Sequence, residues 1–157
     1  MKINLKILIT VIGLWLAMAC GGSPTSQEAS NSEAVTSETP TTNSDDRGIG
    51  PIKEISLTNP LDAKMLEEGK SIYEMKCASC HKLTEEKLVG PGWAGVTKRH
   101  RPEWIMNFTV NVEEMLNKDP KAMAMLEECL VRMPNQNLSE ADARNVLEYM
   151  RQNDGEK

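Results

Sequence analysis

The sequence predicts an all-α domain at the C-terminal end of the chain, carried on a flexible segment behind an export leader. Three observations predict it. Between residues 60 and 157 apolar side chains recur every three or four positions in several stretches, the spacing of one face of a helix. No stretch of useful length alternates apolar with polar residues, as a half-buried strand would. Finally, the composition changes twice along the 157 residues, dividing the chain into 1–19, 20–59 and 60–157.

The leader comes first. Lys2 and Lys6 form a positive start, residues 7–18 are apolar, and small residues precede Cys20. A run of this length is too short for a bilayer span, which needs ~20 apolar residues. The stretch resembles a bacterial lipoprotein signal, with Ala17 where Leu is commoner. The resemblance implies that Cys20 is lipidated, becomes the mature N-terminus and tethers the protein to a membrane. An uncleaved anchor and an ordinary cleaved signal are the alternatives. Residues 20–59 are rich in Ser, Thr, Asn, Glu and Pro. Such a composition buries too little surface to offset its ordering entropy, so disorder is expected. As a tether it would reach about 35 Å, at ~5–6 Å × √n.

In the domain, Met65, Gly69, Ile72, Tyr73 and Cys80 fall on one face of a first helix, with Glu67, Glu68, Lys70 and Glu74 on the other. Gly90-Pro91-Gly92 marks a loop. Pro102 opens a helix to about Asn111, with Ile105 and Phe108 as an i, i+3 pair, and Pro120 opens another on which Met125 and Cys129 share a face. Ser139-Glu140-Ala141-Asp142 resembles a capping box, with Asp in place of Glu. The apolar stripe Ala143, Val146, Leu147 and Met150 follows it.

A domain of this size with one Phe, two Tyr and three Trp in the whole chain has trouble filling a core unaided and usually relies on disulfides, a metal or a cofactor. The four cysteines, Cys20, Cys77, Cys80 and Cys129, are not spaced as a disulfide framework. The net charge is −5, yet six Lys/Arg (Lys76, Lys82, Lys87, Lys98, Arg99, Arg101) face two acids between residues 76 and 101. No basic stripe of the kind that binds nucleic acid is visible.

Cys77-Ala78-Ser79-Cys80-His81 is the strongest motif. Positions i, i+3 and i+4 lie on one face of a helix, so two thiols can bond the vinyl groups of a haem while the imidazole reaches its iron. C-x-x-C-H is the attachment signal of covalent c-type haem. A thioredoxin-like pair would want a βαβ setting, and a zinc site would want two further ligands at finger or ribbon spacing; neither is present in the sequence.

Here the chain resembles the small monohaem cytochrome c family. The resemblance spans about residues 60–153 and rests on Glu68-Gly69-Lys70-Ser71-Ile72-Tyr73, the Cys77–His81 motif, Val89-Gly90-Pro91-Gly92-Trp93-Ala94-Gly95-Val96, Arg132-Met133-Pro134-Asn135 and the closing helix with Tyr149-Met150. It implies one haem c held by Cys77 and Cys80. It also implies a close crossing of first and last helices at Gly69, despite a helix cost of ~1 kcal/mol for Gly. The Pro91 carbonyl would accept the His81 ring N–H, fixing which nitrogen faces the iron. Met133 would be the sixth ligand, with His100, Met123 and Met125 as alternatives, although Lys98-Arg99-His100-Arg101 reads better as a charged surface or propionate-facing segment. Met65, Met75, Met115 and Met150 are read as packing. Arg99 and Trp104 would bind a haem propionate, against a solvated Arg and a core Trp as the plainer reading. Cys129 is expected to be a small buried side chain. Met123, Met125, Cys129 and Met133 would also suit Cu(I), but Met123 and Met125 point apart on a helix.

With both axial positions filled, the expected function is single-electron transfer rather than catalysis. The expected partners are a quinol-oxidising complex as donor and a terminal oxidase or nitrogen-oxide reductase as acceptor, met by a lipid-anchored monomer on the periplasmic side of a bacterial membrane. The alternative is a gas-binding or peroxidase-like protein with an open sixth position.

Overall fold

A computed structural model describes residues 46–157. The expected leader, Cys20 and the first part of the expected tether lie outside the described residues. Within them the helices run in the order α1 Ala63–Ile72, a π-turn Tyr73–Cys77, α2 Val96–Arg99, α3 Pro102–Val110, α4 Val112–Lys118, α5 Pro120–Cys129 and α6 Glu140–Asn153. Among the described residues the only β feature is one isolated bridge, His81 to Lys87, and the fold is all-α.

The helices start where the sequence supplies starters. The Asp62 carboxylate accepts the Met65 N–H at 2.9 Å, and Asp119 accepts the Ala122 N–H at 2.9 Å. Ser139 and Asp142 make the reciprocal capping box that opens α6. Pro102 and Pro120 occupy first turns, where their missing N–H costs nothing. α5 ends at Leu130, which is left-handed with φ 62°.

The core is shared by α3, α4 and α6: Trp104, Ile105, Met106, Val112, Met115, Leu116, Val146, Leu147 and Met150 are buried. α1 crosses α6 at Gly69, so closely that a Cβ there would lie 2.1 Å from the Asn145 carbonyl oxygen. No other residue fits that crossing.

Three expectations are corrected. The first helix does not run unbroken to Cys80. The Ala78 N–H reaches back to the Tyr73 carbonyl at 2.9 Å, an i→i−5 bond, so a π-turn replaces the last α-turn. Cys77 ends up buried while Met75 is 72% exposed. Next, α4 was not anticipated, although Val112, Met115 and Leu116 are its buried face. Lastly, the tether does not extend to Asn59, because residues 46–59 belong to the domain. The fully buried Asn107 amide accepts the Ile52 N–H at 2.9 Å and donates to the carbonyls of Arg47 at 2.8 Å and Ile52 at 2.9 Å. Asn111 donates to the Ile49 carbonyl at 3.1 Å. Gly50 passes so near that a Cβ would stand 2.3 Å from Asn107 Oδ1. Backbone groups of a polar segment are thus satisfied by α3 and α4 rather than by water.

The same segment closes a buried charged cluster with α6. Glu148 is fully buried. It accepts the Thr58 hydroxyl at 2.6 Å, the Asp62 N–H at 3.0 Å, Arg144 Nη1 at 2.5 Å and Arg151 Nη1 at 2.8 Å. Burial pushes its carboxyl upward, but these donors outweigh burial and hold it at about 2.

Candidate cofactor site

The π-turn and the Gly-Pro-Gly loop build one wall of a cleft. The N–H groups of Cys80 and His81 both donate to the Cys77 carbonyl, at 3.0 and 2.9 Å, so the five motif residues keep a helical turn past the π-turn. Tyr73, packed between Trp93 and Tyr149, donates its hydroxyl to the His81 carbonyl at 2.8 Å. The N–H groups of Val89 and Gly90 donate to the Cys80 carbonyl at 3.2 and 2.9 Å, and the Trp93 N–H to the Lys82 carbonyl at 2.9 Å. His81 Nδ1 lies 2.9 Å from the Pro91 carbonyl oxygen. Since a carbonyl only accepts, Nδ1 carries the proton and Nε2 keeps its lone pair. Burial lowers the His81 pKa, and the Pro91 bond offsets this only in part, so the ring is neutral. Gly90 lies flat against it: a Cβ there would be 2.4 Å from Cε1.

The cleft has two lobes, with about 610 Å³ and 950 Å³ of open space counting their mouths. Open clefts with a mostly apolar lining and a few polar groups are the usual form of a small-molecule or cofactor site. His81, Pro91, Phe108, Met125 and Met133 line both lobes. Lobe 1 adds the Cys80 thiol and an apolar lining that includes Val89, Leu116, Leu126 and Val131. Lobe 2 adds Val96, Ile105 and the polar residues Arg99, His100 and Glu128. Val89 is 41% and Val131 54% exposed, so lobe 1 is open at that edge.

Cys77 is buried and, unlike Cys80, is not among the residues that line either lobe. Burial, helped by Cys80 and opposed by Lys76, pushes its thiol up to about 11. Cys129 lines lobe 1 as a free thiol. Met133 comes from residues 131–138, which follow α5 without regular structure and are tied down through side chains. Lys76 donates to the Gln136 carbonyl at 3.1 Å, and Arg132 to Glu113 at 2.9 Å and Asn117 at 3.0 Å.

The rim departs from expectation. Trp104 lines lobe 2, but its indole N–H donates to Asp119 Oδ1 at 3.1 Å. That donor is committed, and the propionate role expected of Trp104 gives way to a wall role. Arg99 donates to the carbonyls of Ala94 at 2.5 Å and Gly92 at 3.3 Å. Three of the six basic residues between positions 76 and 101 are engaged within the domain through Glu86, Glu103 and the Glu128 carbonyl. Lys82 pairs with Glu86 at 2.8 Å and Arg101 with Glu103 at 3.3 Å, while Lys87 donates to the Glu128 carbonyl at 3.0 Å. Sequence reasoning missed Phe108 and Gly90 as cleft residues; only the Gly-Pro-Gly run announced a close approach there.

A neutral imidazole with a free Nε2, a thiol beside it and an apolar slot facing two thioethers define a haem-binding helical protein of the c type. The chain belongs to the cytochrome c family, whose model matches residues 66–154. Cytochrome c from Rhodothermus marinus is 36% identical, superposes with a TM-score of 0.65, and is covered over 90% of its length by 67% of this chain. An engineered form of that protein matches with 35% identity and a TM-score of 0.64 over the same shares. Another engineered form, described as bound to a carbene intermediate, matches with 35% identity and a TM-score of 0.61. Comparison with curated proteins finds no match. The cofactor is accordingly haem c, bound covalently with its iron, and the family's domains are typically exported. Among the described residues no helix is long and apolar enough to cross a membrane.

Proposed function

We propose that the chain is a one-haem electron carrier, with Cys77 and Cys80 as attachment thiols, His81 and Met133 as axial ligands and Cys20 as a lipidated membrane anchor. The observation that carries this reading is His81: its Nδ1 is held by Pro91, which leaves Nε2 for iron, and Met133 lines the same two lobes. Haem supplies a one-electron change at iron. His81 and Met133 would hold the iron, Phe108, Leu116 and Leu126 would exclude water, and the edge near Val89 and Val131 would stay open to a partner. The proposed partners are a quinol-oxidising complex and a terminal oxidase or nitrogen-oxide reductase, reached from the periplasmic side.

The test is an absorption spectrum of the purified protein in both redox states. Colour retained through a denaturing gel, and lost in Cys77→Ala or Cys80→Ala, supports covalent attachment. A Met–iron charge-transfer band absent in Met133→Ala but kept in Met125→Ala supports the ligand pair. Carbon monoxide binding by the wild type would favour the open sixth position instead. Cys20→Ser should abolish incorporation of labelled fatty acid.

A further inference from the structure

The last residues of α6 reach the loop that carries Pro91, although neither of them lines a lobe of the cleft. One oxygen of the Asp154 carboxylate accepts the Gly95 N–H at 2.5 Å. The other accepts the Thr97 N–H at 2.8 Å and the Thr97 hydroxyl at 2.6 Å. Asn153 donates its side-chain amide to the Leu83 carbonyl at 2.9 Å. A carboxylate at a helix C-terminus meets the negative end of the helix dipole, so α6 alone does not favour Asp154 at its end. Three donors from another part of the chain offset that cost, and hydrogen bonds to a carboxylate are roughly twice as strong as neutral ones. The helix end is itself fixed. The Gly155 N–H returns to the Gln152 carbonyl and the Glu156 N–H to the Arg151 carbonyl, each at 3.0 Å, and Arg151 holds the Glu156 carboxylate at 2.6 Å. Between the two anchor points, residues 83–95 contain no helix, and the loop is tied across itself. The Ala94 N–H donates to the Thr84 carbonyl at 3.3 Å, and a Cβ on Gly92 would lie 2.1 Å from that same oxygen. A shift at Leu83 or at Gly95 therefore passes to Gly92 and to its neighbour Pro91.

We infer that Asp154 and Asn153 are positioning residues for the His81 ring: they clamp both ends of residues 83–97, keep the Pro91 carbonyl on His81 Nδ1, and thereby set the protein's reduction potential. The inference rests on the haem reading above and deepens it. Hydrogen bonding to an axial ligand is one of the means by which a protein tunes a haem's potential. An imidazole whose N–H is held by an acceptor is a more basic ligand, and a more basic ligand favours the oxidised site, which carries one more positive charge. With the clamp loosened, the Pro91 bond is made for a smaller fraction of the time. The ring then becomes less basic and the potential rises. Asp154 acts here through Gly95 and Thr97, and Asn153 through Leu83; neither needs to touch the cofactor.

Two measurements on the holoprotein test this: solvent exchange of the His81 Nδ1–H, followed by NMR in the reduced state, and the reduction potential. Asp154→Ala removes all three acceptor contacts, whereas Asp154→Asn keeps one acceptor oxygen and loses the same charge. A difference between these two variants therefore reports the clamp and not the charge. Exchange should be faster by about tenfold or more in Asp154→Ala, the factor that corresponds to ~1.4 kcal/mol, and less affected in Asp154→Asn. The potential should be higher in Asp154→Ala than in Asp154→Asn. Asn153→Ala changes no charge and should shift both readings in the same direction by a smaller amount. Wild-type exchange in Asp154→Ala, or one potential shared by Asp154→Ala and Asp154→Asn, would overturn the inference. If Asp154→Ala fails to hold haem, Asn153→Ala decides alone, and wild-type exchange and potential in that variant would overturn it. A wild type without covalent haem would defeat the underlying reading and this inference with it, and shows as a colourless gel before any variant is made.

Discussion

Where α6 meets residues 58–62, Glu148 is fully buried and receives Thr58, the Asp62 N–H, Arg144 and Arg151. Across the domain, lobe 2 buries His100 Nδ1 with no partner at all. The first region is completed by the chain itself, apart from Arg144 Nη2, which is also unpartnered. The second is a cleft with largely apolar walls that the chain itself does not fill. The difference locates the cofactor's contribution to stability: the α6 end should hold in its absence, and the cleft should not. Binding that is confined to the folded state stabilises that state, and here it acts through the cleft.

The largest effect that would break this comparison is at Glu148. Glu148→Gln leaves two largely buried guanidinium groups, Arg144 and Arg151 with side chains 12% and 6% exposed, facing a neutral amide. Removing one partner from such a cluster costs about 3–5 kcal/mol, measured by denaturant unfolding of the holoprotein. The pH dependence follows from the same residue. Its folded pKa of about 2 lies below the ordinary 4.5, so its contribution is complete above the ordinary value and is lost as pH falls toward the folded one. The stability gap between wild type and Glu148→Gln should therefore narrow between about pH 5 and 2. A constant gap would show that packing, not charge, holds that end.

Gly90 probes the opposite wall. A Cβ at 2.4 Å from His81 Cε1 must push the ring off the Pro91 carbonyl or shift the loop. Overpacking of this kind costs about 1–3 kcal/mol. Gly90→Ala should lower stability by that amount and also perturb the iron–ligand spectrum, which Glu148→Gln should leave alone. Loss of stability with an unchanged spectrum would mean that the loop moves and the ring does not.

These two residues also show how far the sequence could be read. Gly90 stands in a Gly-Pro-Gly run beside C-x-x-C-H, and local chemistry was enough to mark the loop and the attachment helix. α6 was legible for the same reason, since its cap and its stripe are contiguous. What was not legible depends on partners far away in the chain. Residues 46–59 have a tether's composition, and their order comes from Asn107, some 55 positions from Ile52. Asn107 itself looked like an ordinary polar helix residue. His100 sits in Lys98-Arg99-His100-Arg101, a run that fits a charged surface or a propionate-facing segment, and its stacking on Trp104 leaves no periodic trace in the sequence. α4 is only seven residues, and its cap, Asn111, makes no side-chain capping bond, so it lacked a start signal.

A smaller effect is expected at Tyr73. Its hydroxyl holds the His81 carbonyl at 2.8 Å, within a wall already tied by the Cys80 and Pro91 carbonyls. Tyr73→Phe removes one such bond, worth about 0.5–1.5 kcal/mol, with the ring still packed on Trp93. Stability should fall by that amount and the axial ligands should persist. Loss of the haem spectrum in Tyr73→Phe would mean that the His81 wall depends on this one bond.

The smallest effect lies where the cleft is least held by its own backbone. Leu130 ends α5 at φ 62° with its side chain 85% exposed, so it has the steric cost of a left-handed L-residue and little packing in return. That conformation costs roughly 1–2 kcal/mol in a non-glycine residue, and glycine there relieves it at an entropic cost of about 0.5–1 kcal/mol. Leu130→Gly should thus be neutral to stabilising by up to about 1 kcal/mol, read as an unchanged or raised unfolding midpoint. The Leu130 N–H would still reach the Leu126 carbonyl, now 2.8 Å away, so α5 and Met125 should stay in place and the Met133 band should survive. A drop of more than about 1 kcal/mol, beyond what surface changes usually give, would show that Leu130 packs against the bound cofactor or across the lobe 1 mouth. The Met133 loop would then be ordered by the cofactor's edge as well as by Lys76 and Arg132, and the contrast between the two regions would be sharper than the chain alone displays.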